Sequence, residues 1–425
     1  MYAPAPCKPY VEVNGSVKSP NIFLLVVDSL RADVVFGDHV ATPTMDALRH
    51  RGVSFTQCVC TSTTTTPSFS SILTGCYPPK HGVRGLQGYR LSPQLTTMAE
   101  AFARAGYETH AEVTGPLLPE TGVLRGFQHA HHRQAYKVPF FGWREEVVER
   151  MSSYAPPWLM LLHIWEVHRP YRSPPDFTKR KDRAGYEAAL TATDEWLKPV
   201  LEAAGQDAIV VVTGDHGEDY PESRVGFEMV RGSRGVRRVT RVSRWSPFLD
   251  NKLAGLEIGH GFALYEHLVR VPLIMSGPGV PHAVVESQVR HIDLLPTLAE
   301  VTGIPAPAGM DGRSLAPLVS GRELPEEPAY MEAVGVKLMG SRIEGVRTPQ
   351  WKLVRSAGRR PALYKLDGNA RPNERRNRYA SNRDIASALE GYIERVSALG
   401  GGQESGMSSE EEAVVEQHLR DLGYL

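Results

Sequence analysis

The sequence lacks a long apolar stretch. Its longest apolar run, residues 22–27, is far shorter than the roughly 20 residues that a transmembrane helix needs. Residues 1–20 are rich in proline and polar groups and contain no apolar segment of the kind found in a signal peptide. We therefore expect a protein with no membrane partner and no secretory leader, and we predict a cytoplasmic location.

An excess of charge of one sign is also missing. Lys and Arg total 48 and Asp and Glu total 48, so the formal net charge is +0. A balanced charge gives no support to broad binding of nucleic acid, and any preference for an anion must arise locally. The four cysteines are too few and too irregularly spaced for a disulfide framework.

Strand and helix patterns alternate along the chain. Short apolar runs predict buried strands at residues 21–28, 158–164, 208–213 and 271–275. Helical patterns occupy residues 42–52, 68–74, 95–105 and 185–204. This alternation predicts an α/β fold with a doubly wound, mostly parallel sheet. A chain of 425 residues can hold one large domain of this kind and a smaller one.

The domain organisation follows from changes in pattern. We predict an N-terminal extension, a main α/β domain, a small C-terminal α+β subdomain with hairpin-like strands, and a linker with a terminal helix, at residues 1–20, 21–325, 326–399 and 400–425. Residues 221–256 lack clean periodicity and are rich in arginine. This basic insertion is either a solvated surface loop or a lid that guides an anion.

Polar residues of metal-ligand type stand in three segments that follow or adjoin predicted strands. They are Asp28, Thr65 and the pair Asp215 and His216. Each segment alone is a weak signal, since an aspartate at a strand end is more often a helix cap or salt-bridge partner. Together they predict a site for a divalent cation such as Zn²⁺, Mn²⁺, Mg²⁺ or Ca²⁺. A hydroxyl bound to that cation loses its proton more easily, so Thr65 becomes a candidate nucleophile.

Several longer motifs occur in a fixed order. They read LVVDSLRAD, TPSFSSILTGCYPPKHGV, TGDHGE, GHGFALYEHLVRVPLI, and HIDLLPTLAEVTGI with DGRSLAPL. With VRTPQWKLVR and ALYKLDGN further on, the sequence resembles the sulfatase-like branch of the alkaline phosphatase superfamily over residues 20–370. The resemblance implies an alkaline-phosphatase-like α/β core with a small C-terminal sheet.

The resemblance also assigns roles to individual residues. Asp28 matches the first metal-binding aspartate of the family, and Asp215 and His216 match its later metal-binding pair. Thr65 falls where these enzymes keep their nucleophile. Sulfatases place there a Cys or Ser that is converted to formylglycine, a route that threonine cannot take, whereas related phosphodiesterases and phosphotransferases use a threonine.

Other departures from the sulfatase pattern also argue against sulfate chemistry. Phe69 stands where sulfatases carry the Arg of their maturation motif, and Ser29 replaces the second of their paired aspartates. Sulfatases usually have a Lys and a His after an Ala-Gly-Tyr segment, which is residues 105–107 here, and both are missing from this sequence. His260 sits where sulfatases place a Lys against the substrate, and two-metal relatives use a histidine there.

A second metal site is therefore a further hypothesis. Its candidate ligands are His260, His168 and Glu166, with His163 nearby and expected to pack under the site. Two adjacent ions would hold both the attacking and the leaving oxygen. Alternatively, His168 and His260 only donate hydrogen bonds to the substrate, as their counterparts do in one-metal relatives, and Glu166 has a structural or capping role.

The remaining histidines and one aspartate receive structural interpretations. His81 is expected to support the nucleophile helix. His129, His131 and His132 are expected in a surface loop, although such a cluster can bind metal. Asp293 is expected to cap the helix that follows it.

The main functional hypothesis is a hydrolase of phosphate esters that uses one or two divalent metal ions, with Thr65 and His168 catalytic. The metal ligands would be drawn from Asp28, Thr65, Asp215, His216, His260, His168 and Glu166. The substrate would be a small anionic ester. The alternatives are a sulfatase without formylglycine, a phosphoryl transferase and a non-catalytic binding protein. The sequence does not define the oligomeric state.

Overall fold

The structure is a computed structural model. It describes residues 19–134, 140–173, 178–180, 182–220, 260–334, 342–366, 374, 376–400 and 406–424. The basic insertion predicted at residues 221–256 lies outside these described residues, as does most of the N-terminal extension.

The strands follow the predicted runs and add shorter ones. In chain order they are β1 (Asn21–Val27), β2 (Val53–Val59), β3 (Glu108–Val113), β4 (His129–His132), β5 (Trp158–Ile164), β6 (Tyr171–Ser173), β7 (Thr178–Arg180), β8 (Ala208–Gly214), β9 (Arg270–Ser276), β10 (Ala283–Val285), β11 (Val289–Arg290), β12 (Ala329–Ala333), β13 (Ile343–Arg347), β14 (Trp351–Ser356) and β15 (Ala362–Lys365).

The helices lie between these strands. In chain order they are α1 (Ala32–Val35), α2 (Pro43–Arg51), α3 (Thr65–Thr74), α4 (Pro78–His81), α5 (Met98–Arg104), α6 (Phe140–Met151), α7 (Arg183–Ala204), α8 (Glu266–Val269), α9 (Leu294–Thr302), α10 (Ala316–Val319), α11 (Arg383–Ser397) and α12 (Ser409–Asp421). In the described part of the chain, none of them is long and apolar enough to cross a membrane.

Within the described residues, nine strands form the main sheet. Their order is β10-β2-β9-β8-β1-β5-β3-β4, and β11 also pairs with β2. The pairs are parallel except those of β9, which runs antiparallel to both β2 and β8. In the centre, β1 pairs with β5 and β8 in a register that sets Val26 beside His163 and Val27 beside Gly214. The carboxyl ends of the three strands therefore meet at one edge.

Helices cover both faces of this sheet. Along β1, Leu24 and Val26 face one apolar core, whereas Phe23 and Leu25 face the other. Residues of α3, α5 and α9 complete the first core, and residues of α2, α6 and α7 complete the second. This three-layer arrangement confirms the predicted doubly wound α/β fold.

A second sheet follows the main one. The strands β12-β13-β14-β15 form an antiparallel sheet, and α11 packs on it through a stripe of apolar residues that includes Leu389 and Ile393. A last helix, α12, lies in the terminal segment, where a helix after the linker was expected. Several boundaries differ from the predicted ones by one to three residues. The difference that concerns the site is in α3, which begins at Thr65 and not at residue 68, so Thr65 opens the helix.

Candidate active site

Three side chains converge where β1, β5 and β8 end. Asp28, His163 and Asp215 are all buried, and one ligand atom of each lies within 4.8 Å of the others. The parallel register of the three strands produces this convergence. Asp28 and Asp215 come together as the sequence predicted. His163 was expected only to pack beneath the site, but its Nε2 lies 3.5 Å from Asp28 Oδ2.

The free atoms of this group are suited to a cation. His163 Nδ1 lies 2.9 Å from the Thr114 carbonyl oxygen, so the proton belongs on Nδ1 and Nε2 keeps its lone pair. Among the described residues, His163 Nε2 and Asp215 Oδ2 have no hydrogen-bond partner although both are buried. Buried polar atoms without partners are costly. A divalent cation would satisfy both atoms together with Asp28, so the residues present fit such an ion.

Thr65 stands beside this group. Its Oγ1 donates a hydrogen bond of 3.2 Å to Asp28 Oδ2 and lies 3.5 Å from His216 Nε2. His216 Nδ1 lies 2.9 Å from the Gly217 carbonyl oxygen, which directs the lone pair of Nε2 towards Thr65 and Asp215. The Thr65 hydroxyl thus lies between a carboxylate and an imidazole, at the amino end of α3.

The two carboxylates differ in their electrostatics. Burial opposes ionisation of Asp28, but nearby His168, His163 and His216 outweigh it and hold its pKa well below the usual range. Burial, followed by the negative charge of Asp28, raises the pKa of Asp215 to about 6. Two buried carboxylates this close repel one another, which favours a cation between them.

Two more histidines line the same site. The Nε2 atoms of His168 and His260 lie 2.9 Å apart, and the His260 ring stacks on the His216 ring with centroids 4.1 Å apart. Burial lowers the pKa of His168 to about 4. Burial, followed by His216, lowers the pKa of His260 well below its usual value. Both rings are therefore neutral near pH 7 and can donate or accept hydrogen bonds beside His216.

Glu166 has other partners. Arg133 forms an ion pair with its carboxylate, and the Trp165 amide donates a 3.3 Å hydrogen bond to its Oε2. Its carboxylate is not part of the Asp28, His163 and Asp215 group. The structure thus brings together the other predicted site residues and places Glu166 in an ion pair.

The structural interpretations of the other residues have mixed outcomes. His81 is buried and lies 3.0 Å from Ser71 of α3, which agrees with its expected supporting role. His129 and His131 are exposed, as expected, but the predicted loop was wrong, because they belong with His132 to the edge strand β4. Asp293 stands at the N-cap position of α9 but makes no capping hydrogen bond there, because its carboxylate accepts from Arg290 instead.

Comparison with known proteins agrees with this geometry. A family model described as Sulfatase matches residues 20–304, and one described as N-sulphoglucosamine sulphohydrolase, C-terminal, matches residues 261–398. An ulvan-active sulfatase of Formosa agariphila is 25% identical over 389 residues, which cover 76% of this chain and 69% of that protein.

Solved structures share the fold. The phosphonate monoester hydrolase of Agrobacterium radiobacter superposes with a TM-score of 0.68 at 19% identity, covering 89% of this chain and 95% of that one. A 2-O GAG sulfatase gives a TM-score of 0.67 at 19% identity, covering 93% of this chain and 96% of that one.

The fold and the matching family models define an ester hydrolase of the alkaline-phosphatase-like superfamily. Within that superfamily, the chain belongs to the sulfatase family.

Proposed function

We propose that this protein hydrolyses sulfate esters, with the unmodified hydroxyl of Thr65 as the nucleophile. The observation that carries the proposal is the position of Thr65 Oγ1, 3.2 Å from Asp28 and 3.5 Å from His216, beside a group of metal-type ligands. Membership of the sulfatase family supports a sulfate ester over the phosphate ester that the sequence analysis placed first.

The residues that would hold a divalent cation are Asp28, His163 and Asp215, with His216 and Thr65 at its edge. Bound there, the ion would favour the deprotonated form of a hydroxyl and offset charge on the sulfuryl oxygens. The ester panel described below, run with one metal at a time, identifies the ion. The Nε2 atoms of His168 and His260 lie 2.9 Å apart, at hydrogen-bond distance, which supports substrate binding by these rings.

The protein's own groups provide a route for the reaction. Thr65 Oγ1 gives its proton to His216 Nε2, 3.5 Å away, and forms the new bond to sulfur. The bond between sulfur and the alcohol oxygen breaks, and the alcohol leaves with a proton from water. The free amides at the start of α3 bind the oxygens of the anion, since the first N–H groups of a helix lack partners within it. His168 and His260 form a pair beside His216, where they can bind the sulfuryl group or the departing alcohol. Water attack on sulfur then frees Thr65.

A second candidate function is hydrolysis of a phosphonate or phosphate ester. The specific observation in its favour is Thr65 itself, since a threonine cannot become formylglycine. The likeness in fold to a phosphonate monoester hydrolase is consistent with it.

An ester panel on metal-reconstituted protein tests the proposal. The panel contains p-nitrophenyl sulfate, p-nitrophenyl phosphate, bis-p-nitrophenyl phosphate and p-nitrophenyl phenylphosphonate, each with Zn²⁺, Mn²⁺, Mg²⁺ or Ca²⁺. We expect a metal-dependent rate on the sulfate that exceeds the others and disappears in Thr65→Ala. A phosphorus ester that is hydrolysed faster than the sulfate would favour the second candidate.

Physiological substrates form a further part of the proposal. Relatives are named as an ulvan-active sulfatase and a 2-O GAG sulfatase, which supports sulfated carbohydrates as the first natural esters to test. The cytoplasmic location stays a prediction.

A further inference from the structure

The orientation of His163 is set by a backbone carbonyl group. Its Nδ1 lies 2.9 Å from the Thr114 oxygen, which can only accept, so Nδ1 has the proton and Nε2 is the atom that can bind a cation. Partners of this kind fix the tautomer and ring orientation of a ligating histidine, and their loss typically costs about 10- to 100-fold in metal affinity. The position of the Thr114 carbonyl group therefore influences the candidate metal site.

The residue after Thr114 is a glycine in a left-handed conformation. Gly115 has φ of +65°, and glycine has more backbone freedom than any other residue, so contacts must hold it in this conformation. A Cβ atom at this position would lie 3.6 Å from Cε1 of His163, so the loop runs beside the imidazole ring. A shift of this loop would move both the hydrogen-bond acceptor of His163 and a surface against which its ring packs.

Three donors from three separate elements hold this loop. Nε2 of His132, at the end of β4, lies 3.0 Å from the Gly115 oxygen, and Nε2 of His418 in α12 lies 2.9 Å from the same oxygen. Thr66 Oγ1 in α3 donates a 3.1 Å hydrogen bond to the Pro116 oxygen. A carbonyl oxygen has two lone pairs and can only accept, so both histidines donate to Gly115 and together use its acceptor capacity.

Apolar contacts dock the helix that contains His418. They join two leucines of the main domain to two side chains of α12, namely Leu86, Leu118, Val415 and Leu419. A capping box of Ser408 and Glu411 stabilises the start of the helix. Just after its end, the Tyr424 hydroxyl oxygen lies 2.8 Å from His168 Nε2. The docked helix thus brings His418 to a loop that is 303 residues away in sequence.

We propose that His418 is a positioning residue of the metal site. Through its hydrogen bond to the Gly115 oxygen, it holds the loop whose Thr114 carbonyl group orients His163 towards the cation. The proposal rests on the proposed function, because it uses the same metal site. It goes beyond that function because it makes the docked terminal helix a contributor to metal affinity, although His418 itself is not a ligand.

Metal affinity is the measurement that separates positioning from a purely structural role. Metal-free wild type, His418→Phe and His418→Gln are titrated calorimetrically with Mn²⁺ and with Zn²⁺, and the binding step that is lost in Asp215→Asn is compared. Phenylalanine keeps a planar ring beside His132 but cannot donate. We expect its metal Kd to rise about three- to tenfold, as for one lost hydrogen bond. Glutamine can donate from its side-chain amide to the same oxygen and should restore most of the affinity.

The matched control is Arg90→Gln. It removes the ion pair between Arg90 and Glu411 of α12 and leaves the contacts of the loop intact. Because an exposed pair contributes at most about 1 kcal/mol, α12 should stay docked and the metal Kd should not change. An equal Kd in His418→Phe and wild type would overturn the proposal. So would a loss that Arg90→Gln reproduces or that glutamine leaves unrestored, since either would mean a general effect of helix docking.

The ester panel distinguishes failure of this inference from failure of the proposed function. A metal Kd that depends on His418, in a protein that hydrolyses none of the esters, would leave the inference standing and remove the proposed function. Metal-dependent hydrolysis of the sulfate, with the same metal Kd in His418→Phe as in wild type, would retain the proposed function and remove the inference.

Discussion

The backbone amide of Ser29 donates a 3.0 Å hydrogen bond to Asp215 Oδ1, across 186 residues of sequence. The Ser29 hydroxyl donates another, of 2.9 Å, to Asp28 Oδ1. Ser29 therefore holds one oxygen of each carboxylate and leaves the others directed into the candidate metal site. Its φ of +63° is the one positive value among non-glycine residues in the described ranges, and such strain persists only where the surroundings enforce it.

The first prediction concerns the Ser29 hydroxyl. In Ser29→Ala the backbone contact remains while Asp28 loses its orienting partner. We expect metal affinity to fall about 10- to 100-fold, the usual effect of losing an outer-shell hydrogen bond. Calorimetric titration of metal-free protein with Mn²⁺ or Zn²⁺ measures it. Ser152→Ala, which removes an exposed hydroxyl, should leave the affinity unchanged, and an equal affinity in Ser29→Ala would contradict the orienting role.

The second prediction concerns the nucleophile. Thr65→Ala should lower kcat/KM on the preferred ester at least about 10³-fold, because loss of an attacking group removes the covalent route. Thr65→Ser keeps a hydroxyl near Asp28 and should retain measurable activity. Metal content, determined on both variants, shows that the site still forms. If Thr65→Ala were as active as the wild type, another group would have to attack.

The site also shows which features sequence could predict. Asp28, Thr65, Asp215 and His216 follow or adjoin predicted strands, so that together they predicted a metal site, and the family resemblance assigned their individual roles. His163 was missed because it lies within β5, and only the register between β1 and β5 sets it beside Asp28. A histidine in an otherwise apolar strand, WLMLLHI, is the signal that was present.

Tyr424 could not be predicted at all. Its approach to His168 depends on how α12 docks on residues that are distant in sequence, and periodicity carries no information on such docking. Glu166 was proposed as a metal ligand, but it forms an ion pair with Arg133. This contact also depends on how residues that are distant in sequence pack together.

The third prediction concerns His163 as a metal ligand. A ligand that binds only the folded protein stabilises it by about 2.7 kcal/mol when its free concentration is 100 times Kd. We expect added Zn²⁺ or Mn²⁺ to raise the midpoint of thermal unfolding in the wild type. The rise should be much smaller in His163→Gln, which loses the Nε2 lone pair next to Asp28. The exposed His39→Gln is the control, and a full rise in His163→Gln would exclude His163 from the metal site.

The fourth prediction concerns the ion pairs that connect α8 to the C-terminal sheet. Buried Glu266 in α8 accepts hydrogen bonds from Arg347 of β13 at 3.1 Å and from buried Lys352 of β14 at 3.0 Å. Lys352 also pairs with Glu374. Removal of the Glu266 charge therefore leaves the buried charge of Arg347 without its carboxylate partner. Glu266→Gln should therefore lower the free energy of unfolding by about 3–5 kcal/mol at pH 7, measured by urea denaturation. Exposed Glu300→Gln should change it by less than about 0.5 kcal/mol.

The same ion pairs predict a dependence on pH. Burial opposes ionisation of Glu266, but Lys352 and Arg347 outweigh it and hold its pKa well below the usual range. A carboxylate whose pKa is lower in the folded state contributes stability that is present above its unfolded pKa, about 4.3, and is lost as the pH falls towards its folded pKa. The difference in unfolding free energy between wild type and Glu266→Gln should therefore be constant from pH 6 to 8, since that window lies above both pKa values. It should shrink below about pH 4. A difference that grows on acidification would show that Glu266 is not held as a carboxylate by these cations.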